Sequence, residues 1–339
     1  MSTNREKQIT NVTINDVKYP IRTETRIYLS DFIEPNSDTI DSSILGQALS
    51  VACAGKTLVI TPYIDANNKK GNWKLKGETF DLTYYAKYDT VEIIGEDNPT
   101  LYIDTATTFK IPDGFRMRDI SFTATHDQKT RFILAEGGSA YFDNVKLISS
   151  TSVVSCCGVG FTNSGHIYFN NCDGFYAVNS AVDSGDFTTE PNCIAYYNGC
   201  VMPSSSTTDI RIGGGCINYM TGCRLYHRYY YGAIYATGCY MGGVYSFNGG
   251  ELGSTLLPMH FTGCDITGLG NVNLGNKANV IFTGCIINHG GTPAFTIGSS
   301  SAVLLEGCKV GCSSSVFTSL TGVTLGHCMF LDGVYPKTS

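Results

Sequence analysis

The sequence predicts an all-β protein, a parallel β-solenoid with one short helix near its start. Two observations predict it. A pattern of large apolar residue, any residue, Gly, Cys recurs at Tyr197–Cys200, Met220–Cys223, Phe261–Cys264, Phe282–Cys285 and Leu305–Cys308. It returns at Leu325–Cys328 with His327 in place of Gly. A short pattern repeated along a chain marks an array of stacked units. The composition agrees: 38 Gly, only 15% charged residues, and 21 Tyr and 17 Phe against one Trp.

The pattern has a physical reading. Positions −3, 0 and +2 from the Cys are apolar, as in Phe282, Cys285 and Ile287, or Leu305, Cys308 and Val310, or Leu325, Cys328 and Phe330. A straight strand alternates with period two, so the odd step from −3 to 0 requires a bend just before the Cys. A bend with positive φ selects Gly, then Asn and Asp. The frame extends upstream through Asn171-Cys172, Asn144-Val145 and Asp119-Ile120, after Phe169, Phe142 and Met117. The inward positions 120, 145, 172, 200, 223, 239, 264, 285, 308 and 328 lie 16 to 28 residues apart. That suits one solenoid repeat with corner loops of variable length. The 16-residue step to Cys239 is short for a full repeat.

A second stacked strand sits eleven residues upstream of the inward position, at Leu134, Phe161, Ile212, Leu274 and Ile297. Two residues earlier are Phe132, Val159, Ile210, Val272 and Phe295. Asp209, Arg211, Asn271, Asn273 and Thr296 then face outward. One helix is expected, Ser43–Ala54, with Ile44, Leu45, Ala48, Leu49 and Ala52 on one face and Gly55 as its stop. It covers the raw edge of the first coil. Strands follow at Thr57–Thr61 and Val91–Gly95. Residues 40–339 make one elongated domain of about ten coils, a rod near ~50 Å long. Residues 1–39 form an arm or attachment segment with short strands at Val12–Ile14 and Arg26–Leu29.

No secretion signal opens the chain, which begins Met1-Ser-Thr-Asn-Arg-Glu-Lys7. No apolar run is long enough to insert in a membrane, and a net charge of −6 argues against nucleic acid as a partner. The fourteen Cys include no CxxC pair, so zinc spacing is absent, and no metal or cofactor is expected. Stacked inward positions about 4.8 Å apart would tolerate disulfides. In a reducing cytoplasm the ladder thiols are expected to stay reduced and act as small hydrophobes. Cys156, Cys157 and Cys312 lie off the ladder.

The opening of the domain resembles the pectate-lyase-like, right-handed β-helix proteins. The parts come in the same order: a helix (Ile44–Ala54), Gly55-Lys-Thr-Leu-Val-Ile-Thr-Pro62, Trp73-Lys-Leu75, Val91-Glu-Ile-Ile-Gly95 and Gly114-Phe-Arg-Met-Arg-Asp-Ile-Ser-Phe122. The resemblance covers about nine tenths of the chain. It implies a right-handed, single-stranded parallel β-helix. An unsignalled chain with a short N-terminal arm is most similar, within that family, to bacteriophage tailspike and tail-fibre proteins. That implies a homotrimer on the virion, made in the host cytoplasm, held by tail or baseplate proteins and facing a bacterial surface polysaccharide. No room is left after the last coil for the C-terminal trimerisation domain usual in such proteins, and Pro336 blunts the final edge.

The family includes lyases and hydrolases of polysaccharides, and glycoside hydrolysis needs two carboxyl groups. The candidates are Asp209, outward beside Arg211, Glu251 in the long insertion between Phe247 and Pro258, and Asp183 and Asp186 in the most acidic loop. The plainer alternative for each is a solvated loop carboxylate, or a surface ion pair for Asp209 and Arg211. The clustered Asp pairs and Gly-His-Gly of polygalacturonases are absent. For binding, Arg224, Tyr226, His227, Arg228, Tyr229 and Tyr231 crowd into one segment, with Tyr230 and Tyr235 close by. Aromatic rings suit the apolar faces of sugars, and Arg suits an acidic group. The alternative is that these tyrosines fill the core or a trimer interface. Three functions follow as expectations: a tailspike that binds and cleaves a capsule or O-antigen, a non-enzymatic virion spike or fibre, and a cellular polysaccharide lyase or hydrolase.

Overall fold

The computed structural model describes residues 11–14, 17–20, 25–52, 55–77, 79–87, 90–103, 107–123, 130–148, 157–161, 164–179, 193–202, 216–226, 229–231, 233–242, 245–248, 251–252, 255–256, 258–269, 272–274, 278–289, 295–298, 301–312, 317 and 320–330. The corner that the repeat demands is present at ten successive places, from the fourth strand of the long sheet onward. Asp119, Asn144, Asn171, Gly199, Gly222, Gly238, Gly263, Gly284, Gly307 and His327 all sit at φ between 48° and 62°. This is the left-handed region that Gly enters freely, and Asn, Asp and His with less strain than other side chains.

The backbone ladder runs through these corners. Each corner N–H donates to the carbonyl just before the next corner: Asn144 N to Asn170 O at 2.8 Å, Gly238 N to Thr262 O at 2.9 Å, Gly284 N to Glu306 O at 2.8 Å. The residue after the inward position donates back one repeat, as Ile286 N does to Cys264 O at 3.0 Å.

Before the corner, thirteen strands join one parallel sheet in chain order, from Arg26–Tyr28 to Val323–Gly326. After it, short strands form a second parallel sheet in two parts, of five and seven strands. Asp173 bridges the parts through Lys146 and Val201. A third sheet, of five and then four strands, holds Phe132 opposite Val159, Leu134 opposite Phe161, Val272 opposite Phe295 and Leu274 opposite Ile297. These residues pair in the register expected from the sequence, and Phe132, Leu134, Val159 and Phe295 are buried; Ile210 and Ile212 lie outside the described residues. The molecule is thus mostly β, with long parallel sheets compatible with a parallel β-helix.

The core is one continuous cluster inside the sheets. Ile120, Val145, Phe282 and Ile287 are fully buried, as are the thiols from Cys172 to Cys308. Like residues stack along it: Phe80, Phe109 and Phe132 at 4.9 and 4.8 Å, and Phe142, Phe169 and Tyr197 at 5.4 and 5.0 Å. Tyr197 is buried because its hydroxyl accepts the Ala177 N–H at 2.9 Å. The last described repeat lacks a described neighbour on one side, and Leu325 and Met329 are accordingly 36% and 61% exposed.

The ten cysteines with described side chains are free thiols. Each of the eight ladder thiols donates weakly to two strand-end carbonyls, one in its own repeat and one in the repeat before. Cys285 Sγ lies 3.2 Å from Phe261 O and 3.6 Å from Thr283 O, and Cys308 Sγ lies 3.3 Å from Phe282 O and 3.5 Å from Glu306 O. Neighbouring thiols and burial push Cys200, Cys223 and Cys239 up to about 12.

Four details differ from the sequence reading. The helix is Ser42–Ala52, because the Asp41 carboxylate caps it, accepting Ile44 N–H at 2.8 Å. Its buried face is Leu45, Ala48, Leu49 and Ala52, and Gly55 follows at φ 77°. Arg26–Tyr28 is the first strand of the long sheet rather than a strand of a separate arm, with Ile27 and Leu29 buried in the common core; Asn11–Ile14 instead pairs antiparallel with Val17–Pro20. The 16-residue step is a complete repeat, holding Arg224–Leu225, Tyr229–Tyr231 and Ala233–Thr237, one strand for each sheet.

The corner gives a direct test. A Cβ on Gly284 would meet nothing within 4 Å, so only its φ of 61° resists substitution. Gly284→Asn is expected to leave urea-unfolding stability nearly unchanged, and Gly284→Val to lower it by about 1–2 kcal/mol.

Candidate functional site

The candidate site is the outer face of the long sheet. Pairing in register places one residue from each repeat in a column, four positions before the inward residue. From Ser139–Asp143 to Pro258–Thr262 that column reads Tyr141, Tyr168, Tyr196, Tyr219, Tyr235 and His260. The rings stack at centroid separations of 4.8, 4.8, 5.3, 5.1 and 5.3 Å, with planes within 25° of parallel. Aromatic carbons in face contact are ~3.5–4.0 Å apart, so these rings are slipped like roof slates. Tyr141 and Tyr219 are 37% and 39% exposed, and Tyr168, Tyr196, Tyr235 and His260 are half-buried.

A polar column runs beside it, two residues on: Asp143, Asn170, Asn198, Thr221, Thr237, Thr262 and Thr283. Its first members are chained, Asn170 Nδ2 donating to Asp143 Oδ1 and Asn198 Nδ2 to Asn170 Oδ1, both at 3.0 Å. On the other side His166 lies 6.4 and 6.3 Å from the rings of Tyr168 and Tyr196. Its Nδ1 is buried with no hydrogen bond among the described residues.

At the amino-terminal end the aromatic column runs into charge. Arg116 stands over Tyr141 at 5.3 Å from the ring centroid. Arg118 Nε is 3.9 Å from Glu92 Oε1, and Glu92 Oε2 accepts from Thr57 Oγ1 at 2.6 Å. Glu92, Arg116, Arg118, Tyr141, Asp143 and Tyr168 line a groove of about 350 Å³.

The residues singled out in the sequence are dispersed. Asp183, Asp186, Asp209, Arg211, His227 and Arg228 lie outside the described residues. Glu251–Leu252 pairs antiparallel with Thr255–Leu256. Arg224 is exposed on the second sheet, and half-buried Tyr226 follows it with its ring edge-on to Tyr240 at 5.8 Å. Tyr229–Tyr231 belongs to the third sheet and Tyr235 to the long sheet. The described strands of this tyrosine-dense segment thus belong to three different sheets. The column that does form takes one tyrosine per repeat, and its signal was the position four before the inward residue in five successive repeats. Among the described residues no three His, Cys, Asp or Glu are placed to hold a metal ion.

No protein-family model, curated protein or solved structure matches the chain.

Burial, then the neighbouring phenols (Tyr196 and Tyr141 for Tyr168, Tyr219 for Tyr235), raises the pKa of Tyr168 and Tyr235 above the ordinary tyrosine value. The native state holds these phenolic protons more tightly than the unfolded chain, so their contribution is intact below about pH 10 and is lost above it. Ultraviolet titration of phenolate is expected to show a late-ionising set, with stability falling as pH rises past about 10. Phe at both positions should shrink the late set and leave buried Tyr197 in it.

Proposed function

We propose that this chain is a right-handed, single-stranded parallel β-helix of about ten coils, of the pectate-lyase-like kind, that serves as a bacteriophage tailspike or tail-fibre protein. In this reading it acts on the virion as a homotrimer held by tail or baseplate proteins and recognises a bacterial capsule or O-antigen. The observation that supports it is the paired aromatic and polar columns. Five ring-to-ring gaps give a strip about 25 Å long across strands spaced ~4.8 Å. A polysaccharide presents apolar ring faces alternating with hydroxyls. Laid along the strip, it meets slipped aromatic rings on one side and amide and hydroxyl groups on the other.

Tyr196→Ala, which opens a gap in mid-strip, is expected to weaken binding to the host polysaccharide about tenfold, near 1.4 kcal/mol, with the oligomeric state unchanged. Loss of the oligomer with unchanged glycan binding would make the strip a subunit interface instead.

Depolymerisation is the second part of the reading and rests on Asp183, Asp186, Asp209 and Glu251. The double variant Asp209→Asn, Glu251→Gln is expected to stop release of reducing ends or unsaturated sugars from the polysaccharide while binding persists. If the wild-type protein releases neither from any host glycan, it is a recognition protein without this activity.

A further inference from the structure

We propose that Arg116 and Arg118, at the amino-terminal end of the tyrosine strip, form a subsite for the carboxylate of an acidic sugar unit. The proposal rests on the glycan reading above and narrows it. The two guanidinium groups rise from one strand two residues apart, about 6.6 Å along it, and both residues are exposed. Like charges so close repel, and the nearby carboxylates are engaged elsewhere. Glu92 accepts from Thr57 at 2.6 Å and reaches Arg118 only at 3.9 Å, through Nε. Asp143 accepts from Asn170 at 3.0 Å. Among the described residues no carboxylate pairs with Arg116, whose guanidinium lies over the first ring of the strip.

Two cations elsewhere on the surface are paired more closely: Lys74 meets Asp38 at 2.8 Å, and Arg26 is hydrogen-bonded to Glu96. The arginine pair is thus a local excess of donors at the point where a chain lying on the tyrosines would end or continue. Its forks match a planar carboxylate bidentately. Glu92 and Asp143 on either side disfavour a dianionic phosphate, and their remaining lone pairs can accept sugar hydroxyls. The groove would therefore hold a monoanionic sugar with its carboxylate on the arginines and its ring against Tyr141.

The test uses the full chain on an array of purified bacterial capsular and O-antigen polysaccharides, each printed native and carboxyl-reduced. The expected result is that the bound glycans are acidic and that carboxyl reduction weakens binding at least tenfold. Arg116→Gln with Arg118→Gln should weaken binding to the native glycan to a similar degree, leave binding to the reduced form unchanged and leave the thermal unfolding curve in place. Tyr196→Ala should weaken both forms. Binding only to neutral glycans, or a double arginine variant that binds acidic glycans as the wild type does, overturns the subsite. If Tyr196→Ala still weakens binding in that case, glycan recognition stands without it. Binding to no glycan on the array overturns both.

Discussion

A single backbone conformation recurs before every inward residue of the frame, and the rest of the molecule is organised around it. An L-residue pays about 1–2 kcal/mol to enter the left-handed region. Here ten positions are held there, by seven achiral or amide-bearing residues from Asn144 to Gly284 and by Asp119, Gly307 and His327 at the flanks. In return the chain turns from the long sheet to the second sheet within one residue, without interrupting the backbone ladder. Because these ten repeats turn at the same residue, they enter the long sheet in the same register. Columns of identical side chains follow from that, inside as stacked phenylalanines and thiols, outside as the tyrosines and the amide-threonine row.

The thiols fit this corner for a chemical reason. The earliest repeats use Ile120 and Val145 at the inward position; from Cys172 onward it is Cys. A thiol has about the bulk of a small hydrophobe and a weak donor besides. At a strand end, where carbonyls are close and few donors remain, that donor reaches two of them. Burial among like thiols keeps Cys200 and Cys223 protonated, so these two behave as packing.

Much of this was legible in the sequence, because an inward residue and its bend leave a local signature. The −3, 0, +2 pattern located the corner at each repeat, and Phe132, Leu134, Val272 and Leu274 located the third sheet. The outer columns were harder, since an exposed position is under no packing constraint and its pattern shows only when repeats are aligned on the corner. Density along the chain is a different signal from alignment across repeats. Arg224, Tyr229 and Tyr235 are close in sequence, yet a repeat of sixteen residues sends their strands to three different sheets. The Asp41 cap escaped because the helix was read from its apolar face, which begins after it. The acidic loop of Asp183 and Asp186 carries no periodicity, so the repeat frame gives those two residues no face.

The sixteen-residue repeat between Cys223 and Cys239 has a consequence for how such a surface changes over evolutionary time. It holds one strand for each sheet and one ring of the outer column, and it begins and ends on the same corner. It is therefore a self-contained cassette. Duplicating or excising a cassette of any length that starts and stops at the corner lengthens or shortens the strip by a single ring, with the splice falling where both sides already share a conformation. The length of the surface can be tuned in unit steps, while its chemistry at each step is left to one side chain.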